Sequence, residues 1–166
     1  FDNVRVPVHN RIGDEGQGWK YANFLLGNER TSYAHVAGKR MQMAAIEQFL
    51  ESIDEQEYHA RFNELSVRLD SLDITVLRVL ATLANGASPG NESSILKIMA
   101  TELAQDITEL GMVVRQYAGI ASFSEQMPDP AAAKATVDYL GTRSQSIYGG
   151  SNEIQKNIIA KRVLGL

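Results

Sequence analysis

Ser146-Ile147-Tyr148-Gly149-Gly150-Ser151-Asn152-Glu153-Ile154-Gln155-Lys156-Asn157-Ile158-Ile159-Ala160 reads as a helix stop, a turn and a helix start. Gly149-Gly150 ends the preceding helix, because glycine enters left-handed backbone without a Cβ penalty. Ser151 or Asn152 suits the N-cap, where a short side-chain oxygen accepts a bond from an orphaned backbone N–H. Ile154, Ile158 and Ile159 recur at helical spacing, which predicts a closing helix to about Val163 with that face in a core. A helix, a glycine turn and a second helix need other helices to bury their apolar faces.

The rest of the chain supplies them. After Trp19 the first proline is Pro89, and the intervening residues are mostly good helix formers. The pattern predicts a first helix from about Trp19 to Ile53 and a second from about Glu55 to Asn85, stopped by Asn85-Gly86. Ser88-Pro89-Gly90-Asn91 reads as a loop, and a third helix runs from about Ser93 to Tyr117. After the break at Met127-Pro128-Asp129-Pro130, Asp129 is a natural N-cap and Pro130 a first-turn proline for a fourth helix to about Ile147. Short connections between such helices predict an all-α, up-down bundle over residues 19–166. Residues 1–18 differ. Val4, Val6 and Val8 alternate with polar Asn3 and Arg5, predicting a short β segment that Pro7 confines to an edge or terminus. Gly13, Gly16 and Gly18 make the linker into the bundle.

The bulk properties exclude several functions. The 166 residues are 44% hydrophobic and 22% charged, suited to one globular domain with a sizeable core. A net charge of −4, with no basic patch interleaved with aromatics, argues against nucleic acid. No apolar run approaches the roughly 20 residues of a membrane-spanning helix, and no basic-then-apolar leader opens the chain. The absence of cysteine excludes disulfides, thiolate metal sites and a cysteine nucleophile. His9, His35 and His59 lie far apart without metal-ligand spacing, so no metal is expected. Nothing points to secretion, and a cytoplasmic location is expected. The first residue, Phe1, is not methionine; the chain reads as a fragment, with a processed or tagged chain as the alternative.

Ala22, Leu26, Glu29, Tyr33 and Ala37 follow one another at intervals of four, three, four and four, so on one helix they share a face. A carboxylate on an apolar stripe is costly unless paired or protonated. Apolar surroundings would raise the Glu29 pKa and strengthen it as a base. Spacing alone leaves a second reading open: Asn28-Glu29-Arg30 as a solvated patch at the stripe's margin. Gly149-Gly150 by itself is equally a plain helix-breaking turn.

The closing stretch, with Val4-Arg5-Val6-Pro7 and Gly16-Gln17-Gly18-Trp19, resembles the C-terminal part of the acyl-CoA dehydrogenase family. The resemblance covers nearly all of the chain, strong at both ends and weak between Glu55 and Pro130. It implies FAD as cofactor and removal of two hydrogens from the α and β carbons of an acyl-CoA thioester. It places residues 1–18 at the end of a middle β domain. The usual catalytic glutamate is replaced here by Gly149, but a minority of the family carries the base where Glu29 stands, directly before an arginine such as Arg30. Glu29 would take the α-proton while hydride passes to flavin N5. Asn28, Arg30, Tyr148 and Gly149 would line the substrate, and Gly150, Ser151, Asn152 and Glu153 would contact the flavin.

Two family features are absent. An arginine followed by Phe-Gly is expected near the second helix's start, where this chain reads Arg61-Phe62-Asn63. A Gly-Gly-x-Gly loop is expected where it reads Ala118-Gly119-Ile120-Ala121. Both reach a neighbour's FAD in symmetric family members. Their loss implies a related subunit as partner in a hetero-tetramer, as in steroid side-chain degradation, with a diverged homotetramer as the alternative. Electron-transfer flavoprotein would be the electron acceptor. The rival readings are a non-catalytic paralogue acting as scaffold, and an acyl-CoA oxidase.

Overall fold

The computed structural model describes residues 1–29, 32–53, 56–86, 90–91, 93–115 and 130–166, with the side chains of residues 27–29 and 32 left outside the description. Among the described residues there are six α-helices: α1 (Gly18–Glu29), α2 (Val36–Leu50), α3 (Gln56–Ala84), α4 (Ser93–Val113), α5 (Pro130–Thr142) and α6 (Asn152–Arg162). Short 3-10 turns occupy Val8–Asn10, Ser32–Ala34 and Arg143–Ser146. The all-α class is as expected.

Helix α4 is the axis. It packs against α2, α3, α5 and α6. Leu96, Ala100, Leu103, Ile107 and Leu110 repeat at four and three residues and are buried throughout. Met43, Ile46 and Leu50 of α2 and Leu65, Leu69 and Leu72 of α3 close on that stripe to form one core. Each such aliphatic side chain contributes about 1.5–3 kcal/mol by leaving water. Ion pairs trim the edges: Arg68 to Asp106 at 2.7 Å, Arg61 to Glu109 at 3.3 Å, and Arg40 to both Asp70 and Asp73. Helix α3 also carries Val67, Ile74, Leu77 and Leu80 outward, where they are exposed.

The structure departs from the sequence pattern in five places. No strand forms over Val4–Val8; the three valines are exposed, and Val8 begins a 3-10 turn. A strand needs a ladder partner, and the described residues offer none. The first helix is two helices, broken after Glu29 and restarted at Val36, with His35 in left-handed conformation at φ 35°. The stripe from Ala22 to Ala37 is therefore not one helical face. The fourth helix tightens into the 3-10 turn Arg143–Ser146 instead of running to Ile147. Ile154 is half exposed and not core; on α6 the buried side chains are Asn152 and Gln155. The third helix ends by Val113, and the expected loop over 118–121 lies outside the described residues.

Candidate functional site

The glycine turn between α5 and α6 is built from backbone conformations that only glycine adopts without strain. Gly149 has φ +67° and Gly150 φ +86°. Ser151 caps α6, its hydroxyl accepting from the Ile154 N–H at 3.5 Å. The same hydroxyl, donating to the Glu153 carboxylate, and then the Glu153 backbone N–H draw that exposed carboxyl below its usual range. On the inner side, Gln155 Nε2 donates to the Gly150 carbonyl at 3.1 Å, while the buried Gln155 Oε1 has no hydrogen-bond partner.

A lysine from α4 ties this turn to the core. Lys97 is 0% exposed, and its Nζ donates to the Gln145 carbonyl at 3.0 Å and to Asn152 Oδ1 at 3.1 Å. Thr101 Oγ1 donates to the same Asn152 oxygen at 3.1 Å. The ammonium thus grips both flanks of Gly149-Gly150. Burial pushes the Lys97 pKa down, and attraction to Glu153 partly opposes this. Asn152 is buried, with its side-chain oxygen engaged by α4.

The break after α1 brings a second segment to the turn. The Tyr33 and Tyr148 rings lie 6.1 Å apart, tilted by 38°. A Cβ at Gly149 would overlap the Tyr33 hydroxyl. Gly38 leaves room for the left-handed His35, whose imidazole overlies the place of a Cβ there. Lys39, 4% exposed, turns back so that its Nζ donates to the Ala34 carbonyl at 2.8 Å and reaches that of Tyr33 at 3.5 Å. The carbonyls released by the helix break are thus capped by a buried ammonium, which burial pushes down to about 8.

Glu29 is the last residue of α1, and Asn28 precedes it in the same turn. The side chains of both, and the whole of Arg30, fall outside the described residues. Tyr148, Gly149, Gly150, Ser151, Asn152 and Glu153 are contiguous on the turn and the first turn of α6. Tyr33 belongs with them, since it stands against Tyr148 and Gly149. The sequence reading overlooked Lys39 and Lys97, although both had a signal. Lys39 opens the stripe Met43, Ile46, Leu50, and Lys97 sits on the stripe Thr101, Ala104, Thr108, Gly111. A lysine at a core position of an amphipathic helix is a buried charge with a task. Of the two segments lacking the expected cross-subunit motifs, the described one is self-engaged: Arg61 pairs with Glu109, and Phe62 packs on the core. Among the described residues no group of three or more histidine, aspartate or glutamate side chains could hold a metal. No described helix is long and apolar enough to cross a membrane.

Residues 16–164 match the model of the acyl-CoA dehydrogenase C-terminal domain. The chain is similar over its whole length to the acyl-CoA dehydrogenase IpdE1 of Mycobacterium tuberculosis, 31% identical and covering 43% of it. It is likewise similar to the acyl-CoA dehydrogenase FadE34 of the same organism, 27% identical and covering 22% of it. An acyl-CoA dehydrogenase from Geobacillus kaustophilus shares the fold, with a TM-score of 0.79 at 24% identity over 98% of this chain and 43% of that one. The chain therefore spans less than half the length of these relatives.

Proposed function

Because the chain belongs to the acyl-CoA dehydrogenase family, as its C-terminal domain, we propose that it forms part of a flavoenzyme that removes hydrogen from the α and β carbons of an acyl-CoA thioester. Glu29 takes the α-proton. Asn28, Arg30, Tyr148 and Gly149 line the acyl thioester. Residues 1–18 lead in from a preceding domain that covers the other side of the site.

The observation that carries this reading is the meeting of Tyr33 with Gly149. It puts a residue four positions beyond Glu29 against the glycine turn, and its hydroxyl closes the place where residue 149 would project a side chain. A base at 29 and a glycine at 149 are then two halves of one arrangement.

The turn also suits a flavin. Gln155 Oε1 is a buried acceptor without a partner, and Ile147 and Ile154 leave apolar surface open beside the glycines. Gly150, Ser151 and Glu153 would hold FAD through backbone groups at the start of α6, with Asn152 fixing their position through Lys97. When bound, FAD supplies the two-electron acceptor for the hydrogen leaving the β carbon. Glu29 is at its most basic when the site is closed to water, because desolvation disfavours its charged form.

A related subunit is the proposed partner in a hetero-tetramer, with electron-transfer flavoprotein as acceptor. The support is that Arg61 and Phe62 are engaged within the chain and that Val67, Ile74, Leu77 and Leu80 present an uncovered apolar stripe. Steroid side-chain or fatty acyl thioesters are the proposed substrate classes. The decisive experiment is Glu29→Gln in the full-length protein assembled with its partner. Turnover should fall by about 10²–10⁴, the usual contribution of a general base, with flavin retained. Unchanged turnover would leave the second reading, a scaffold subunit, which the absence of a carboxylate at 149 favours.

A further inference from the structure

Beside the Tyr33–Tyr148 pair, residues of α2, of α4 and of the 3-10 turns before α2 and after α5 line an open cavity of about 250 Å³. Its polar lining is Tyr33, His35, Lys39, Gln42, Thr142, Gln145 and Tyr148. No aspartate or glutamate is among the described residues that line it. The volume is below the roughly 300–1,000 Å³ of whole-ligand pockets, so it suits one functional group rather than an entire molecule.

Lys39 gives the cavity its chemistry. Its ammonium is buried and has no carboxylate partner among the described residues. An ammonium has three donors. One makes a good bond to Ala34 O and a second a long contact to Tyr33 O, which leaves a third. Neutral carbonyls offset only part of the cost of burying a charge, which is several kcal/mol per ion. Burial accordingly pushes the lysine pKa down to about 8. Lys97 contrasts with it. Both of its contacts are short, and it is not among the residues that line this cavity.

We propose that this cavity is a carboxylate subsite, in which the Lys39 ammonium pairs with an acid group carried on the acyl part of the substrate while Gln42 and Gln145 hydrogen-bond it. The inference rests on the reading of the glycine turn as the thioester site. Tyr33 joins the two places, its hydroxyl at Gly149 and its carbonyl at Lys39. The preferred substrate is a CoA thioester whose acyl group bears a second, free carboxylate.

The test uses the full-length enzyme assembled with its partner and three matched series of acyl-CoA thioesters of graded length, ending in methyl, carboxamide or carboxylate. Wild-type enzyme should show kcat/KM at least ten-fold higher for the carboxylate than for the carboxamide at the best length. Lys39→Met should abolish that preference, while Lys39→Arg should keep it. Equal use of carboxylate and carboxamide by the wild type overturns the proposal, and this comparison needs no variant to fold. A preference that survives in Lys39→Met overturns it as well. Equilibrium binding of the three thioesters separates the two readings. Lys39-dependent preference for the carboxylate without turnover of any series keeps the subsite and removes the dehydrogenase reading. Turnover with equal binding removes the subsite alone.

Discussion

The Tyr33 hydroxyl stands where the Cβ of any residue other than glycine at position 149 would fall. Gly149 is therefore held by two constraints, its left-handed φ of +67° and the tyrosine above it. Gly149→Ala should destabilise the full-length protein by about 1–3 kcal/mol in urea unfolding, from backbone strain and displacement of the ring. Placing Tyr33→Ala in the same chain should recover only the steric part. A double-mutant cycle with no coupling would mean that Tyr33 moves aside freely.

Asn152→Ala should cost more than Lys97→Met. The first leaves a buried ammonium short of an acceptor, which costs more than the about 1–3 kcal/mol of a neutral unsatisfied group because the donor is charged. The second removes the charge with its partners' bonds and should cost about 1–3 kcal/mol. Chemical denaturation of the two variants orders them; the reverse order would mean that water replaces Asn152 at Lys97.

The stability difference between wild type and Lys39→Met should depend on pH. The unfolded lysine titrates near its ordinary value of 10.5 and the folded one at about 8. Between these values the unfolded chain binds more protons, so wild-type stability rises with pH across that window. Below pH 8 the full cost of the buried charge is present. Urea midpoints at pH 7 and 9.5 should converge on, or cross, those of the variant; parallel midpoints would place the Lys39 amine in contact with solvent.

Ser151→Ala should lower stability by about 0.5–1 kcal/mol, the low end for an N-cap, because the bond to Ile154 N is long at 3.5 Å. The Glu153 carboxyl should titrate higher in that variant, since the hydrogen bond from the Ser151 hydroxyl is the first cause of its depression. An unchanged Glu153 titration by NMR would leave its own backbone N–H as the cause.

One FAD per two subunits is the expected ratio in the purified hetero-oligomer, read from the visible absorption spectrum. One per subunit in a protein that folds without a relative would replace the shared site with a homomeric one.

Breakers carried most of the fold. Asn85-Gly86, Pro130 and Gly149-Gly150-Ser151 mark ends that the structure keeps within a residue or two, because each imposes a backbone conformation locally. The break between Glu29 and Val36 was not legible, since no proline lies there and no glycine occupies the left-handed position. It is stabilised from outside the segment, by Lys39 capping the freed carbonyls and by Tyr33 packing on Tyr148. The valines of residues 4–8 carry a strand's alternation without the neighbour that would make one. At the site, the glycine turn and its cap were readable as chemistry. The two buried lysines were not, because their partners lie elsewhere: a carbonyl and an amide some fifty residues away for Lys97, and carbonyls exposed by an unforeseen break for Lys39.

The bond from Lys97 to Asn152 spans a separation of 55 residues. During synthesis the ammonium leaves the ribosome long before its acceptor does. Until α6 arrives, the Gln145 carbonyl is the one of these two acceptors that the ammonium can reach. The last helix thus completes a polar seal late in synthesis: a chain truncated before Asn152 would hold the Lys97 charge one acceptor short.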